Sequence, residues 1–183
     1  MNFLKRDRPN HELFEEMVMP LFDSLYNFAC WLTSDRDEAE DLVQETVAKA
    51  LRGFGSFEPN TNFRAWIFRI LRNTFLTSRT GLKATSTVQL EDDEEVRTVA
   101  VTTDTPETIL LGALDEKAVR EAIGELPIPY REVILLCELE ELSYKEIAEA
   151  LAIPIGTVMS RLSRARNALR DKLSTKGLKV AVQ

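Results

Sequence analysis

Apolar residues recur three and four positions apart along most of this chain, with polar residues between them. Leu21, Phe22, Leu25, Phe28, Ala29 and Leu32 form one such stripe, the pattern of a helix that buries a single face. A second stripe, Ala39, Leu42, Val43, Val47, Ala50 and Leu51, follows Ser34 and Asp35, either of which can cap a helix start. Gly53 and Gly55 end it. The stretch FEPNTN is turn chemistry, after which Phe63, Trp66, Ile67, Ile70 and Leu71 predict a helix reaching about Thr80. The period is lost over residues 81–110 and returns in four segments, at about 107–125, 129–139, 143–151 and 155–173. No internal repeat relates the two halves. The expected fold is therefore all-α, with two small helical domains, residues 10–80 and 111–175, joined by a flexible acidic linker, 81–110. Within that linker a short strand at 96–101 is the one alternative to irregular chain.

Composition narrows the class. Of 183 residues 44% are apolar, enough for real cores, which excludes disorder throughout. Two cysteines, Cys30 and Cys137, and one histidine, His11 in the polar amino-terminal tail, cannot supply the four ligands of a structural zinc site or a disulfide framework. Neither a metal nor a cofactor is expected, and free thiols point to a reducing compartment. Both cysteines lie on apolar stripes and read as core residues. The longest apolar runs, 133–137 among them, have five residues, far short of the roughly 18 of a membrane helix. The start, MNFLKRDRPN, has basic residues but no apolar stretch after them, so no secretory signal and a cytoplasmic location are expected.

The net charge of −7 argues against a chain that coats nucleic acid by itself, but the charges are sorted. Residues 59–83 hold five basic residues and no acid, and residues 154–183 hold seven basic residues against Asp171 alone. The linker carries the acid run EDDEE, which composition alone reads as a solvated tether.

The most informative segment is LSYKEIAEALAIPIGTVMSRLSRARNALR, residues 142–170. Ser143 caps a short helix with Glu146 three residues on, as in a capping box. Ala152, Ile153 and Pro154 break it, and a longer helix follows with Val158, Leu162, Ala165 and Leu169 inward. Short helix, tight turn and long helix make a helix-turn-helix pattern. Thr157, Ser160 and Arg164 fall on the outward side with Arg161 alongside, where small hydroxyls admit close approach to DNA and arginine can read a base edge. Arg166 and Arg170 turn towards another side, near Met159, where phosphate contact or plain solvation is expected of them.

Two amino-terminal segments add to this. In DRDEAEDLVQETVAKALRGF, acids crowd the first turns of a helix, which the helix dipole favours with or without a partner. In FRAWIFRILRNTFLTSR, Arg69, Arg72 and Arg79 share a face, with Asn73 and Thr74 beside it. Basic, amide and aromatic groups together suit single-stranded nucleic acid, although Trp66 itself reads as core.

On these residues the chain resembles the sigma factors of bacterial RNA polymerase, specifically the extracytoplasmic-function (ECF) group of the sigma-70 family. DEAEDLVQETVAKAL resembles its region 2.2, FRAWIFRILRNTFLTSR its regions 2.3 and 2.4, and residues 126–173 its region 4, so that about three quarters of the chain is covered. The resemblance implies a non-enzymatic initiation factor. Asp41, Leu42, Gln44 and Glu45 would dock on the beta-prime clamp helices of core RNA polymerase, and region 4 on its beta flap. Arg69, Arg72, Asn73 and Thr74 would engage the minus-10 element, Asn73 matching the base-reading position. Thr157, Ser160, Arg161 and Arg164 would read the minus-35 element in duplex promoter DNA. The linker would run through the active-site cleft, and an anti-sigma factor is the expected regulator. Met159 departs from the pattern, standing where the family usually has Lys or Arg.

The residues leave three competing readings. One is an autonomous helix-turn-helix regulator, which would not need the second basic helix with Asn73. Another is a helical enzyme, for which no base, nucleophile or metal constellation is present and no P-loop pattern occurs. The third is a relative that binds polymerase without reading promoters.

Overall fold

The computed structural model describes residues 8–59, 61–82 and 116–175. The described residues form eight α-helices, joined by tight turns and two short 3₁₀ turns, and no strand. The first domain holds α1 (Arg8–Val18), α2 (Phe22–Thr33), α3 (Arg36–Gly53) and α4 (Phe63–Leu82). The second holds α5 (Glu116–Gly124), α6 (Ile128–Glu138), α7 (Tyr144–Leu151) and α8 (Ile155–Thr175). Most of the expected linker, the strand alternative at 96–101 and the start of the helix expected from 107 lie outside the described residues.

The sequence left open whether Ser34 or Asp35 caps α3, and both have a part. Ser34 takes a left-handed conformation (φ 61°) that closes α2, and Asp35 accepts a hydrogen bond from the Glu38 amide at 2.9 Å to start α3. Each satisfies backbone groups that a helix end leaves unpaired. Leu25, Phe28, Ala29 and Leu32 of α2 pack against Leu42, Val43 and Ala50 of α3 and Ile67, Phe68 and Leu71 of α4. Phe22 departs from its expected place and is exposed.

Helix α1 corrects the expectation of a polar amino-terminal tail. His11 stands exposed on it, and Phe14 and Val18, one turn apart, are buried. Phe14 meets Phe54 edge-on with centroids 5.2 Å apart. Phe57, Phe63 and Trp66 complete this cluster, the Phe57 and Trp66 rings lying 5.1 Å apart, so Trp66 packs as the sequence predicted.

In the second domain Val119 and Ile123, Val133, Leu135 and Leu136, Ile147 and Leu151, and Val158, Leu162, Leu169 and Leu173 form the core. Arg131 of α6 donates to the carbonyl oxygens of Gly124, the last residue of α5, and of Leu126 just beyond it, and reaches across to that of Leu32 at the end of α2. One cation thereby serves the carboxy-terminal ends of helices in both domains, where a positive charge is favoured. The domains meet along α4 against α7 and α2 against α5 and α6.

Candidate nucleic-acid interface

Helix α7 opens with the full capping box. The Ser143 hydroxyl accepts from the Glu146 amide at 3.3 Å, and the Glu146 carboxylate accepts from the Ser143 amide at 2.8 Å. Hydrogen bonds from Ser143, hydroxyl first, then amide, hold the Glu146 pKa below the usual carboxylate range. Ala152 closes α7 in the left-handed region (φ 53°), and the chain turns into α8. Val158, Leu162, Ala165 and Leu169 are buried, and this stripe fixes which side of α8 faces out.

That outward side carries Gly156, Met159, Ser160, Ser163, Arg164 and Asn167, all exposed. Ser160 and Arg164 stand where the sequence predicted. Thr157 and Arg161 are half-buried at its flank, and Arg161 lies close enough to Glu132 for its charge to act on that carboxyl. Gly156, Met159, Ser163 and Asn167 complete the face and were not among the sequence-derived candidates. The signal was available: Ser163 lies outward when the inward direction is averaged over Val158, Leu162, Ala165 and Leu169. Arg166 instead pairs with Glu138 at 2.9 Å, bracing α8 on α6.

Much of the basic face of α4 is engaged by the second domain, although Arg69 remains exposed. Arg72 Nε donates to Glu132 Oε1 at 2.9 Å, and Arg69 Nε to the Glu149 carbonyl oxygen at 2.9 Å. Arg64 pairs with Glu140 at 3.0 Å, and Asn62 Nδ2 donates to Glu146 Oε1 at 2.7 Å. All four acceptors belong to the second domain. Glu132 is fully buried, and burial raises its pKa despite the opposing attraction of Arg72. Its other oxygen, Oε2, has no hydrogen-bond partner. Arg120 of α5 lies 4.6 Å over the Trp31 ring of α2, adding a cation–π contact to the same closure. Of the remaining α4 candidates, Asn73 is exposed. Thr74 is 3% exposed and its hydroxyl accepts from Lys49 Nζ at 3.3 Å, so it holds α4 on α3 and cannot itself touch a ligand. Arg79 pairs with Glu38 at 3.3 Å.

On α3, Asp41, Gln44 and Glu45 form an exposed acidic ridge, Glu45 pairing with Lys49 at 2.7 Å. Leu42, placed by sequence with these three, is 6% exposed and packs into the core. A leucine between Asp41 and Val43 on an amphipathic helix is turned inward by the same periodicity that exposes its acidic neighbour.

Residues 17–85 match Sigma-70 region 2, and residues 116–169 match Sigma-70, region 4. The chain is 38% identical over 143 residues to the ECF RNA polymerase sigma-E factor of Haemophilus influenzae, covering 75% of this chain and 76% of that one. It is 33% identical over 171 residues to the RNA polymerase sigma-H factor of Pseudomonas aeruginosa, covering 91% and 89%. The chain belongs to the ECF sigma factors of the sigma-70 family. It also matches the ECF RNA polymerase sigma factor SigE of Mycolicibacterium smegmatis at 33% identity, spanning 62% of that protein's length. Its fold is similar to that of the sigma factor RpoE in complex with the anti-sigma factor NepR from Bartonella quintana, with a TM-score of 0.66 and 35% identity over 88% of this chain and 96% of that one. As a sigma factor it is a non-enzymatic transcription initiation factor.

Both cysteines of the sigma factor pack against the apolar core. Cys30 and Cys137 are free and half-buried, and burial, with Glu138 alongside, pushes the Cys137 thiol up to about 12. Among the described residues no cluster of His, Cys, Asp and Glu could hold a metal ion, and no helix is long and apolar enough to cross a membrane.

Proposed function

We propose that this sigma factor binds core RNA polymerase in the cytoplasm and directs it to specific promoters, using α8 on duplex minus-35 DNA and α4 on the minus-10 element. The observation that carries the reading is that one chain presents two basic helices, in two domains, each suited to a different form of DNA. The outward face of α8 is short-chained and cationic, as a helix entering a major groove requires. On α4, exposed Asn73 lies beside Arg69 and Arg72, a combination suited to a base drawn out of the stack. The acidic ridge of Asp41, Gln44 and Glu45 is the proposed contact with the clamp helices. Leu42 and Thr74 support these faces from within. The beta flap takes the second domain, and residues 81–110 serve as the acidic linker between the two.

The closed packing gives this reading a conformational requirement. Arg72 cannot turn to a DNA phosphate while buried Glu132 holds its Nε, and Arg69, though exposed, is engaged by the Glu149 carbonyl oxygen, so α4 must part from α6 and α7 before its whole basic face meets the minus-10 element. An anti-sigma factor is the proposed regulator, supported by the similarity to a sigma factor held by one.

The direct experiment mixes the purified chain with core RNA polymerase and fragmented genomic DNA and sequences the dependent transcripts. Transcripts starting downstream of a shared pair of motifs are expected. Polymerase binding without transcripts would favour a sequestering relative, and DNA binding without polymerase binding an autonomous regulator.

A further inference from the structure

Met159 is 55% exposed and Ile155 is 51% exposed, one helical turn apart at the start of α8. Single exposed apolar side chains are ordinary on a protein surface. These two stand in the amino-terminal turns of the second helix of a helix-turn-helix, the part that reaches base edges. Gly156 lies between them, and a Cβ built there would meet nothing within 4 Å. Exposed Ser160 and Ser163 are also short. The start of α8 thus exposes short side chains, with Met159, Ile155 and Arg164 the long exposed ones among them.

The charge around this tip selects its occupant. Residues 154–170 carry four arginines and no acid; Arg166 is paired with Glu138, and exposed Arg164 remains on the helix surface, which suits a polyanion. Methionine at 159 offers no hydrogen-bond donor and only a weak thioether acceptor. In the major groove the apolar feature that distinguishes one base from the others is the C5-methyl group of thymine. An unbranched, polarizable side chain can fit itself to such a group.

We infer that Met159, with Ile155 beside it, is a specificity-determining residue that recognises thymine methyl groups in the duplex element read by α8. The inference rests on the proposed role of α8 and adds the chemical class of base that it selects. Cytosine at the same position lacks the methyl and is disfavoured, and a Lys or Arg at position 159 exchanges methyl recognition for phosphate or guanine contact.

The test uses the holoenzyme assembled with core polymerase on a promoter found by transcript mapping. Each thymine of the upstream element is replaced, one at a time, by deoxyuridine, which removes the methyl and leaves every hydrogen-bonding group. At one or two positions affinity is expected to fall about fourfold, the loss for one methyl-sized group no longer buried. Met159→Ala should weaken binding to the thymine duplex and erase the thymine-to-deoxyuridine difference at those positions. A holoenzyme that requires the upstream element yet ignores every methyl overturns this inference alone. So does a Met159→Ala holoenzyme that keeps the full difference. Indifference to the whole element, with Arg164→Ala also silent, overturns the duplex-reading role of α8 and this inference with it.

Discussion

Removing the Glu132 carboxylate should open the two domains and free the basic face of α4. Glu132 Oε1 holds Arg72 Nε at 2.9 Å, and taking one partner from a buried ion pair costs about 3–5 kcal/mol because the other is left unpaired. Part of that is returned. Glu132 is fully buried with Oε2 unpartnered, so Glu132→Ala also relieves a desolvation penalty, leaving about 2 kcal/mol net against closure. At about 1.4 kcal/mol per factor of ten, the ratio of open to closed chain rises roughly 30-fold. Small-angle scattering should report a larger radius of gyration, and fluorescence anisotropy should show a gain in affinity for a single-stranded oligonucleotide at fixed salt. Glu132→Gln is the contrast. Burial raises the Glu132 pKa, so proton binding favours the closed state: the contribution is fully present below the ordinary carboxylate range and is lost as pH rises through the raised value. The neutral isostere should therefore stay closed, and mild acid should not open the chain through this group. If Glu132→Ala keeps its helicity by circular dichroism yet scatters like the parent and gains no affinity, the closed pairing does not restrain α4.

Other faces can be tested separately. Arg164→Ala should reduce discrimination between the upstream element and a scrambled duplex by about 1–3 kcal/mol without changing affinity for core polymerase; loss of polymerase binding instead would misplace this face. Asn73→Ala should slow open-complex formation, read by permanganate reactivity of unpaired thymines, more than it weakens closed-complex binding, and equal effects on both would remove its base-reading role. Asp41→Lys should lower affinity for core polymerase with little effect on melting temperature. Leu42→Ala should instead destabilise the fold by about 2–5 kcal/mol, and a Leu42→Ala chain that melts normally but fails to bind polymerase would return that residue to the interface. Cys137, with its thiol pushed up to about 12, should resist iodoacetamide at neutral pH until the chain is unfolded in urea; rapid labelling of the native protein would contradict its burial.

Periodicity carried most of the fold because most helices here bury one face against neighbours in their own domain. Val158, Leu162, Ala165 and Leu169 are buried as their spacing predicts, and Ser143 and Glu146 make the capping box that their three-residue separation predicts. Helix α1 escaped notice because Phe14, Met17 and Val18 lie among acids, and the first of them is defined by a distant aromatic socket, with Phe54 5.2 Å and Phe63 6.1 Å away. Thr46 is fully buried, which no hydrophobic count reveals, since its hydroxyl is satisfied by donating to the Leu42 carbonyl at 2.7 Å. The sequence also sorted Arg69 and Arg72 onto one face without showing what they meet. Their acceptors lie 80 and 60 residues away, and pairing at that separation follows from how two finished domains dock.

The docking leaves the two proposed DNA faces unequal. On α8, Met159, Ser160, Ser163 and Arg164 stand open, whereas on α4 Arg69 and Arg72 are held by the second domain. A closed chain could therefore meet duplex DNA with α8 fully open, but it would offer a melted strand only Asn73 and the exposed part of Arg69. The fraction of open chain scales the apparent affinity for any partner that needs α4 free, so a large partner that binds both domains apart would supply the missing energy by differential binding. Once both faces are fixed on that partner, the second DNA contact becomes intramolecular and its effective concentration rises. Coupling of this kind makes promoter opening conditional on the partner, although the chain itself carries the residues proposed for it.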